Sequence, residues 1–354
     1  MLPLKERILV WVGIVIVFFW GFIFLNKEGN MQISLLWSTE KNLDISKKLE
    51  KQEDFPASGE QYFLPDRLKT DTSKHSIELD SILGGGPWKD GIPSINTPEF
   101  VSQEIAEKQM PYLLEDSRWI VLDIWGYQRY YSYDVLVWHE IVNDVIWWQK
   151  VSVTFCSLCG SAIVYDREVN GKEVNFWVSG KLYNSNLLMY DSYDETLWSQ
   201  SLWKAVVWWQ LGTKLTVMKS HLMTYDEFIE NFPEGVVLSD DTGYFRNYGR
   251  IPYGDYNNSD DLYFPIDGAI DTSFHPKELF YIVNHHEHSL AFNWKDLRKQ
   301  GTAEIRVWED VYIASFNRGL ADVTLDGEIL PGYFEMWFSW INHNAENKKN
   351  IWSK

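Results

Sequence analysis

Hydrophobic and polar positions divide this chain into three stretches, each predicting a different kind of structure. From Ile8 to Leu25 no residue is charged, and nearly all are Ile, Val, Leu, Phe or Trp. Such an all-round apolar run predicts a helix rising about 27 Å, close to the hydrocarbon thickness of a bilayer. Lys5 and Arg7 precede it. The positive-inside rule therefore puts residues 1–7 in the cytoplasm and residue 27 onward across the membrane. Asn26-Lys27-Glu28 comes next, without the small-x-small site of a cleaved signal peptide. An uncleaved, single-pass anchor over residues 8–26 is expected, in the cell membrane, with the main domain extracytoplasmic.

Residues 27–75 are rich in Lys, Glu, Ser and Asp and read as a polar tether. Residues 76–354 form the folded domain, entered through the loop Gly84-Gly85-Gly86-Pro87. Apolar spacing (Phe100, Val101, Ile105) predicts a helix over Pro98 to Gln109, and a second short one over Tyr225 to Phe232.

Elsewhere the period is two. Val151 to Phe155, Ala162 to Tyr165 and Glu173 to Val178 read as strands, punctuated by Asn170-Gly171, Ser179-Gly180 and Asp326-Gly327. Short strands with turn chemistry every 8–12 residues or so predict a mainly β domain of antiparallel sheets with few short helices. A weak internal similarity accompanies them. Ile120-Val-Leu-Asp before Tyr130-Tyr131 resembles Tyr281-Ile-Val-Asn before Ala291-Phe292, and Val151 to Tyr165 aligns with Val311 to Val323. A pseudo-duplicated domain is expected, with units at about 110–215 and 270–345.

Composition narrows the function. A net charge of −18, from 50 acidic and 32 basic residues, argues against nucleic acid as a partner and against docking on an anionic lipid surface. The tryptophans are anomalous in number, 19, and in placement. Trp147-Trp148 stands where a two-residue hairpin turn calls for φ > 0 and hence Gly or Asn. Trp88 follows Gly-Gly-Gly-Pro, and Trp208-Trp209 precedes Gln210-Leu-Gly. Several of these codons are expected to be glycine in the source organism, with a reassigned stop codon read as Trp. Rings at such turns must then sit strained or splayed.

Candidate chemistry centres on Cys156-Ser-Leu-Cys159, which holds the only two cysteines. A four-residue loop gains little as a disulfide staple, roughly 2 kcal/mol. The spacing suits reversible thiol–disulfide chemistry, or two of four zinc ligands. A zinc site would need two further ligands. No dedicated cofactor is expected, and zinc stays an alternative. His139 could act as base for a nearby thiol. Glu140, Asn143, Asp144, Ser179, Asn184, Asn186, Tyr190, Asp191, Trp198 and Gln200 are candidate pocket-lining groups. His285-His286-Glu287-His288 reads as a solvated loop rather than a metal cluster.

Taken together, Trp138-His-Glu-Ile-Val-Asn-Asp144, Cys156-x-x-Cys-Gly-Ser, Val178-Ser-Gly-Lys-Leu-x-Asn-Ser-Asn186, Met189-Tyr-Asp and Leu197-Trp-Ser-Gln200 resemble one bacterial family. That family is a domain of unknown function, some of whose members are described as selenoproteins. The likeness runs from about residue 84 to about 342 and includes Asp241-Thr-Gly-Tyr244 and Tyr248-Gly-Arg-x-Pro-Tyr253. Selenocysteine in place of one cysteine implies redox chemistry for the pair. The family pattern has Pro where this chain has Ser157, and Gly where it has Trp147, Trp148, Trp177 and Trp208. The resulting expectation is an extracytoplasmic thiol–disulfide oxidoreductase acting on a redox partner protein or a small thiol, through accessible Cys156 and Cys159. The alternative is a non-catalytic envelope binding protein with an inert disulfide.

Overall fold

Period-two strands ordinarily bury one face, but here the central sheet is buried on both. In the computed structural model, residues 68–114 and 118–354 are described, together with two strands nearer the N-terminus. Those two, Gly21–Leu25 and Met31–Leu35, pair antiparallel with each other and belong to a separate compact unit. The rest of the expected anchor, residues 8–20 and 26, and the bulk of the tether lie outside the described residues. No helix among the described residues is long and apolar enough to cross a membrane.

The domain is mainly β, and its sheets are almost wholly antiparallel. The largest has eight strands. Its main path runs Ile351–Trp352, His288–Asn293, Leu279–His285, Gly332–Met336, Ser161–Asp166, Gln149–Cys156, Ile141–Ile146. Strand Gly332–Met336 is the seam. It pairs with Leu279–His285 on one side and, at Phe334 opposite Ala162, with Ser161–Asp166 on the other.

Alternate residues divide cleanly between the faces. Val151, Val153, Phe155, Val283, Phe292 and Phe334 join one core, whereas Cys156, Ile163, Tyr165, Phe280, Ile282 and Tyr333 join another. Burying both faces forces the polar residues of these strands to find partners inside. Thr154 donates to Ile163 O at 2.7 Å, and Ser152 donates to Asn143 Oδ1 at 3.2 Å. A second sheet of five strands, Lys204–Val207, Leu197–Ser199, Asn186–Asp191, Phe176–Tyr183 and Ile82–Gly84, contributes Phe176, Val178, Leu187, Met189 and Trp198 to the core that holds the cysteines.

One order of elements occurs twice along the chain. The hairpin Arg118–Ile124/Tyr127–Tyr131 leads into helix Tyr133–His139 and a three-strand meander ending at Asp166. The hairpin Leu279–His285/His288–Asn293 leads into helix Trp294–Gln300 and a meander ending at Leu325. Both helices open on a side-chain cap, Ser132 to the Val135 N–H and Asn293 to the Asp296 N–H. The helix expected over Pro98 to Gln109 begins only at Gln103. Phe100–Ser102 is drawn into pairing with Val236–Leu238 instead, and Ser102 caps the shortened helix. The second expected helix forms at Tyr225–Asn231 behind a Thr224/Glu227 capping box.

Several turns carry a tryptophan. Asn170-Gly171 and Asp326-Gly327 adopt φ > 0 at both residues, as their chemistry demands. Trp125, Trp147, Trp203, Trp208 and Trp308 are held in the same left-handed region, at φ of 52°, 59°, 45°, 89° and 61°. Trp308 is 88% exposed, so little packing offsets the strain there, and the 59% exposed Trp147 ring meets only Tyr127 and Trp148 edge to face.

Candidate functional site

The strand Gln149–Cys156 ends on the first cysteine and the strand Ser161–Asp166 begins two residues after the second. The Cys-x-x-Cys segment is therefore the loop of a β-hairpin, closed by the Cys159 N–H donating to Cys156 O at 3.2 Å. Thioredoxin-type activation by a helix N-terminus has no counterpart here. Gly160 takes φ +53° to complete the turn. The Met336 N–H donates to Cys159 O at 2.9 Å, which ties the loop to the seam strand.

Opposite this loop lies the tight turn Asn184-Ser185, with φ +50° and +64°. Its Ser185 carbonyl accepts from Cys159 Sγ at 3.1 Å and lies 3.9 Å from Cys156 Sγ. Both cysteines are free thiols, 2% and 0% exposed. This corrects two expectations at once. The pair forms no disulfide, and the sulfurs are not presented to solvent. The cover is the segment around Tyr253 to Phe264. Tyr256 OH donates to Leu158 O at 2.9 Å, Ser185 Oγ donates to Phe264 O at 2.9 Å, and Lys277 Nζ sits 3.5 Å from the Tyr256 ring centre.

The two thiols differ. Burial pushes the Cys156 thiol up, but hydrogen bonds from the Cys159 thiol and from the N–H groups of Cys159, Leu187 and Leu158 outweigh it. Its pKa falls below the ordinary thiol value. Burial, the bond to Cys156 and the charge on that sulfur push Cys159 well up, against an opposing bond with Ser339.

Around them runs a buried polar network. Ser161 donates to Gln200 Oε1 at 2.6 Å, and Gln200 Nε2 donates to Thr154 Oγ1 at 2.9 Å. Asn186 Nδ2 donates to Ser161 Oγ at 3.2 Å. Ser201 and Ser339 both donate to Glu335 Oε1, at 2.5 and 2.6 Å. Burial raises the Glu335 carboxyl to about 7, against those two hydrogen bonds. Glu140 is buried beside Cys156. Desolvation first, then the Cys156 charge, lift its carboxyl well above the usual range.

Of the residues expected at the site, Asn186 and Gln200 meet this network and Glu140 stands next to Cys156. His139 does not serve the thiols. Its Nδ1 lies 2.6 Å from Pro93 O and its Nε2 2.7 Å from Tyr248 OH, and burial lowers its pKa to about 4. Asp144 is bound by Arg129 and by Tyr131 OH, and Asn143 links Asn96 to Phe176 O. Ser179 shapes the bulge before Lys181. Asn184 accepts from the Asp267 N–H at 2.8 Å, Tyr190 donates to Asp90, and Asp191 accepts from Trp198 Nε1 at 2.8 Å. These polar groups are bonded to separate partners across the fold. A cleft of about 270 Å³ has Trp203, Lys214, Asn284, His286 and Tyr333 on its walls. Among the described residues no group of three or more His, Cys, Asp or Glu could hold a metal ion. His286 and Glu287 are exposed at a hairpin turn.

Sequence reasoning missed Ser185, Glu335 and Ser339. Glu335 did carry a signal, being the one acidic residue of the apolar run Tyr333 to Ile341. A family model described as "Protein of unknown function (DUF3179)" matches residues 89–329. No curated protein and no solved structure matches the chain.

Proposed function

We propose that this chain, which belongs to the DUF3179 family of proteins of unknown function, is a membrane-tethered thiol–disulfide exchange protein working outside the cytoplasm. Cys156 is the nucleophile and Cys159 the resolving thiol. The observation that carries this reading is the placement of the two free thiols on the loop of one hairpin, where both meet the same Ser185 carbonyl, Cys159 Sγ at 3.1 Å and Cys156 Sγ at 3.9 Å. Thiols gathered in this way and this close in sequence suit reversible exchange. Because the sulfurs are covered, exchange requires the Tyr253–Phe264 segment to lift from the Cys-x-x-Cys loop, and a redox partner protein or small thiol would meet them there. The tether rests on the uncharged run Ile8 to Leu25 behind Lys5 and Arg7.

Equilibration of the purified protein in glutathione buffers, with the thiols counted by mass after alkylation, tests the redox role. A midpoint between about −120 and −270 mV, the range of thiol exchangers, is expected. Two thiols that stay reduced throughout would overturn it. They would favour a second reading, in which the pair only donates S–H bonds to the Ser185 carbonyl that hold two turns together. Protease protection of the domain in intact cells, together with resistance of the protein to alkaline extraction, tests the membrane placement.

A further inference from the structure

Between strand Val236–Leu238 and strand Leu279–His285, residues 239–278 hold a single regular element, the three-residue 3-10 turn Tyr256–Asn258. Connections beyond about 15 residues with so little structure are uncommon, and lids and binding loops are the ordinary reason for them. Among the described residues, every backbone–backbone hydrogen bond of residues 240–274 closes a turn within the segment itself. No strand pairing has to break for it to move. The segment is also two-faced. Tyr256 is buried in the core that holds both cysteines, and Tyr253, Leu262, Tyr263, Phe264 and Ile266 pack against that core. Asp255, Asp260 and Asp261 face solvent.

Side chains hold the segment down. Buried Lys277 donates from Nζ to Tyr256 O, to Ser259 O at 2.7 Å and to Ser259 Oγ at 3.1 Å. Further on, Trp337 Nε1 donates to Asp271 O at 3.1 Å. The stretch between these two holds, residues 260–270, is fastened chiefly to the turn Asn184-Ser185. Ser185 Oγ donates to Phe264 O at 2.9 Å, and the Asp267 N–H donates to Asn184 Oδ1 at 2.8 Å. Weaker holds are Ser81 Oγ on Asp267 Oδ1 at 3.2 Å and Tyr263 OH on Tyr253 O at 3.1 Å. The carbonyl of that same Ser185 accepts from Cys159 Sγ at 3.1 Å. One buried residue therefore grips the thiol with its carbonyl and the cover with its hydroxyl.

Resting on the thiol–disulfide reading above, we propose that residues 260–270 form a redox-sensitive flap, which the Asn184-Ser185 turn latches while the cysteines are reduced and releases once they are joined. A small disulfide RS–SR, admitted by transient lifting of the flap, oxidises the pair. The Cys156–Cys159 bond forms, the RS–SR bond breaks, and two RSH leave with both thiol protons and the two electrons. Cys159 then has no proton to donate, and a buried carbonyl left without its donor is costly. The turn has little else to hold it in place, because Asn184 and Ser185 sit at φ +50° and +64°, a region unfavourable to side chains. Its shift carries Ser185 Oγ and Asn184 Oδ1 away from Phe264 and Asp267. The reduced pair is thus shielded, and the oxidised pair is opened to the thiol that reduces it.

The test is chymotryptic cleavage after Leu262, Tyr263 and Phe264 in the full-length protein, mapped by mass. The protein is first reduced with dithiothreitol or oxidised with glutathione disulfide, and the reagents are removed. Oxidation is expected to speed these cuts about tenfold, the effect of losing one or two hydrogen bonds. Ser185→Gly keeps the carbonyl, suits the left-handed backbone and deletes only the hydroxyl. It should be cut fast in both states. Equal rates in the two states, in a wild-type protein whose mass shows the disulfide, overturn the inference and leave the redox reading standing. Reduced Ser185→Gly cut as slowly as the reduced wild type overturns the latch as well. A wild-type protein that keeps both thiols in glutathione disulfide overturns the redox reading and the switch with it. If Ser185→Gly does not fold, the wild-type comparison decides alone.

Discussion

Gly160 faces Met336 so closely that a Cβ on residue 160 would lie 2.9 Å from Met336 Cγ, while the glycine itself holds φ +53°. The contact joins the Cys-x-x-Cys hairpin loop to the seam strand. Gly160→Ala should therefore destabilise twice over. The left-handed backbone costs about 1 kcal/mol with a side chain, and the clash adds roughly 1–3 more. A loss of about 2–4 kcal/mol in chemical denaturation is expected, with faster alkylation of Cys159 as the loop loosens. An alanine variant as stable as the parent would show that the loop is not clamped here.

Glu335 makes a prediction for stability. Its folded value of about 7 lies above the ordinary carboxyl value of 4.5. The folded state thus binds the proton more tightly, and this contribution is present below about pH 4.5 and lost as pH rises through 7. Glu335→Gln should match the wild type near pH 5 and exceed it at pH 8 by up to about 3 kcal/mol. Thermal melts at the two pH values check this. A difference that does not change with pH would refute it.

Acid should act in the opposite sense through three histidines. Burial holds His139, His221 and His343 neutral, each with its pKa lowered from 6.5 to about 4. Their stabilisation is full above about pH 6.5 and is lost as pH falls towards 4. Each contributes up to about 3 kcal/mol. Unfolding near pH 5 should take up three protons at these histidines and return one from Glu335. Denaturant midpoints falling steadily from pH 6.5 to 4 are the expected result, and a flat profile would contradict it.

The tryptophan turns predict something unusual, namely stabilisation by a substitution to glycine. Trp147 and Trp308 hold φ of 59° and 61° while largely exposed. Trp147→Gly and Trp308→Gly should each raise stability by about 1 kcal/mol, since glycine takes these dihedrals without penalty. Peptide masses from the native organism should correspondingly show glycine at Trp147 and Trp208. Tryptophan masses there would end the recoding explanation.

Much of the β architecture was legible because period-two alternation and turn chemistry are local properties. Val151 to Phe155, Asn170-Gly171 and Asp326-Gly327 mark strands and turns from their own side chains. The helix before Gln109 was misjudged at its start for the opposite reason. Phe100–Ser102 answers to Val236–Leu238, more than a hundred residues away.

The sequence by itself determined that the two cysteines fall between two strands, Val151 to Phe155 and Ala162 to Tyr165, and that the first apolar run carries no charge. Only the tertiary structure decided which polar groups reach the sulfurs. His139, seventeen residues from Cys156, turns away to Pro93 and Tyr248. Glu335 and Ser339 arrive from the far end of the chain because Gly332–Met336 is inserted beside Ser161–Asp166. Such a long-range strand pairing depends on complementary faces meeting in the core, and no local pattern encodes that encounter.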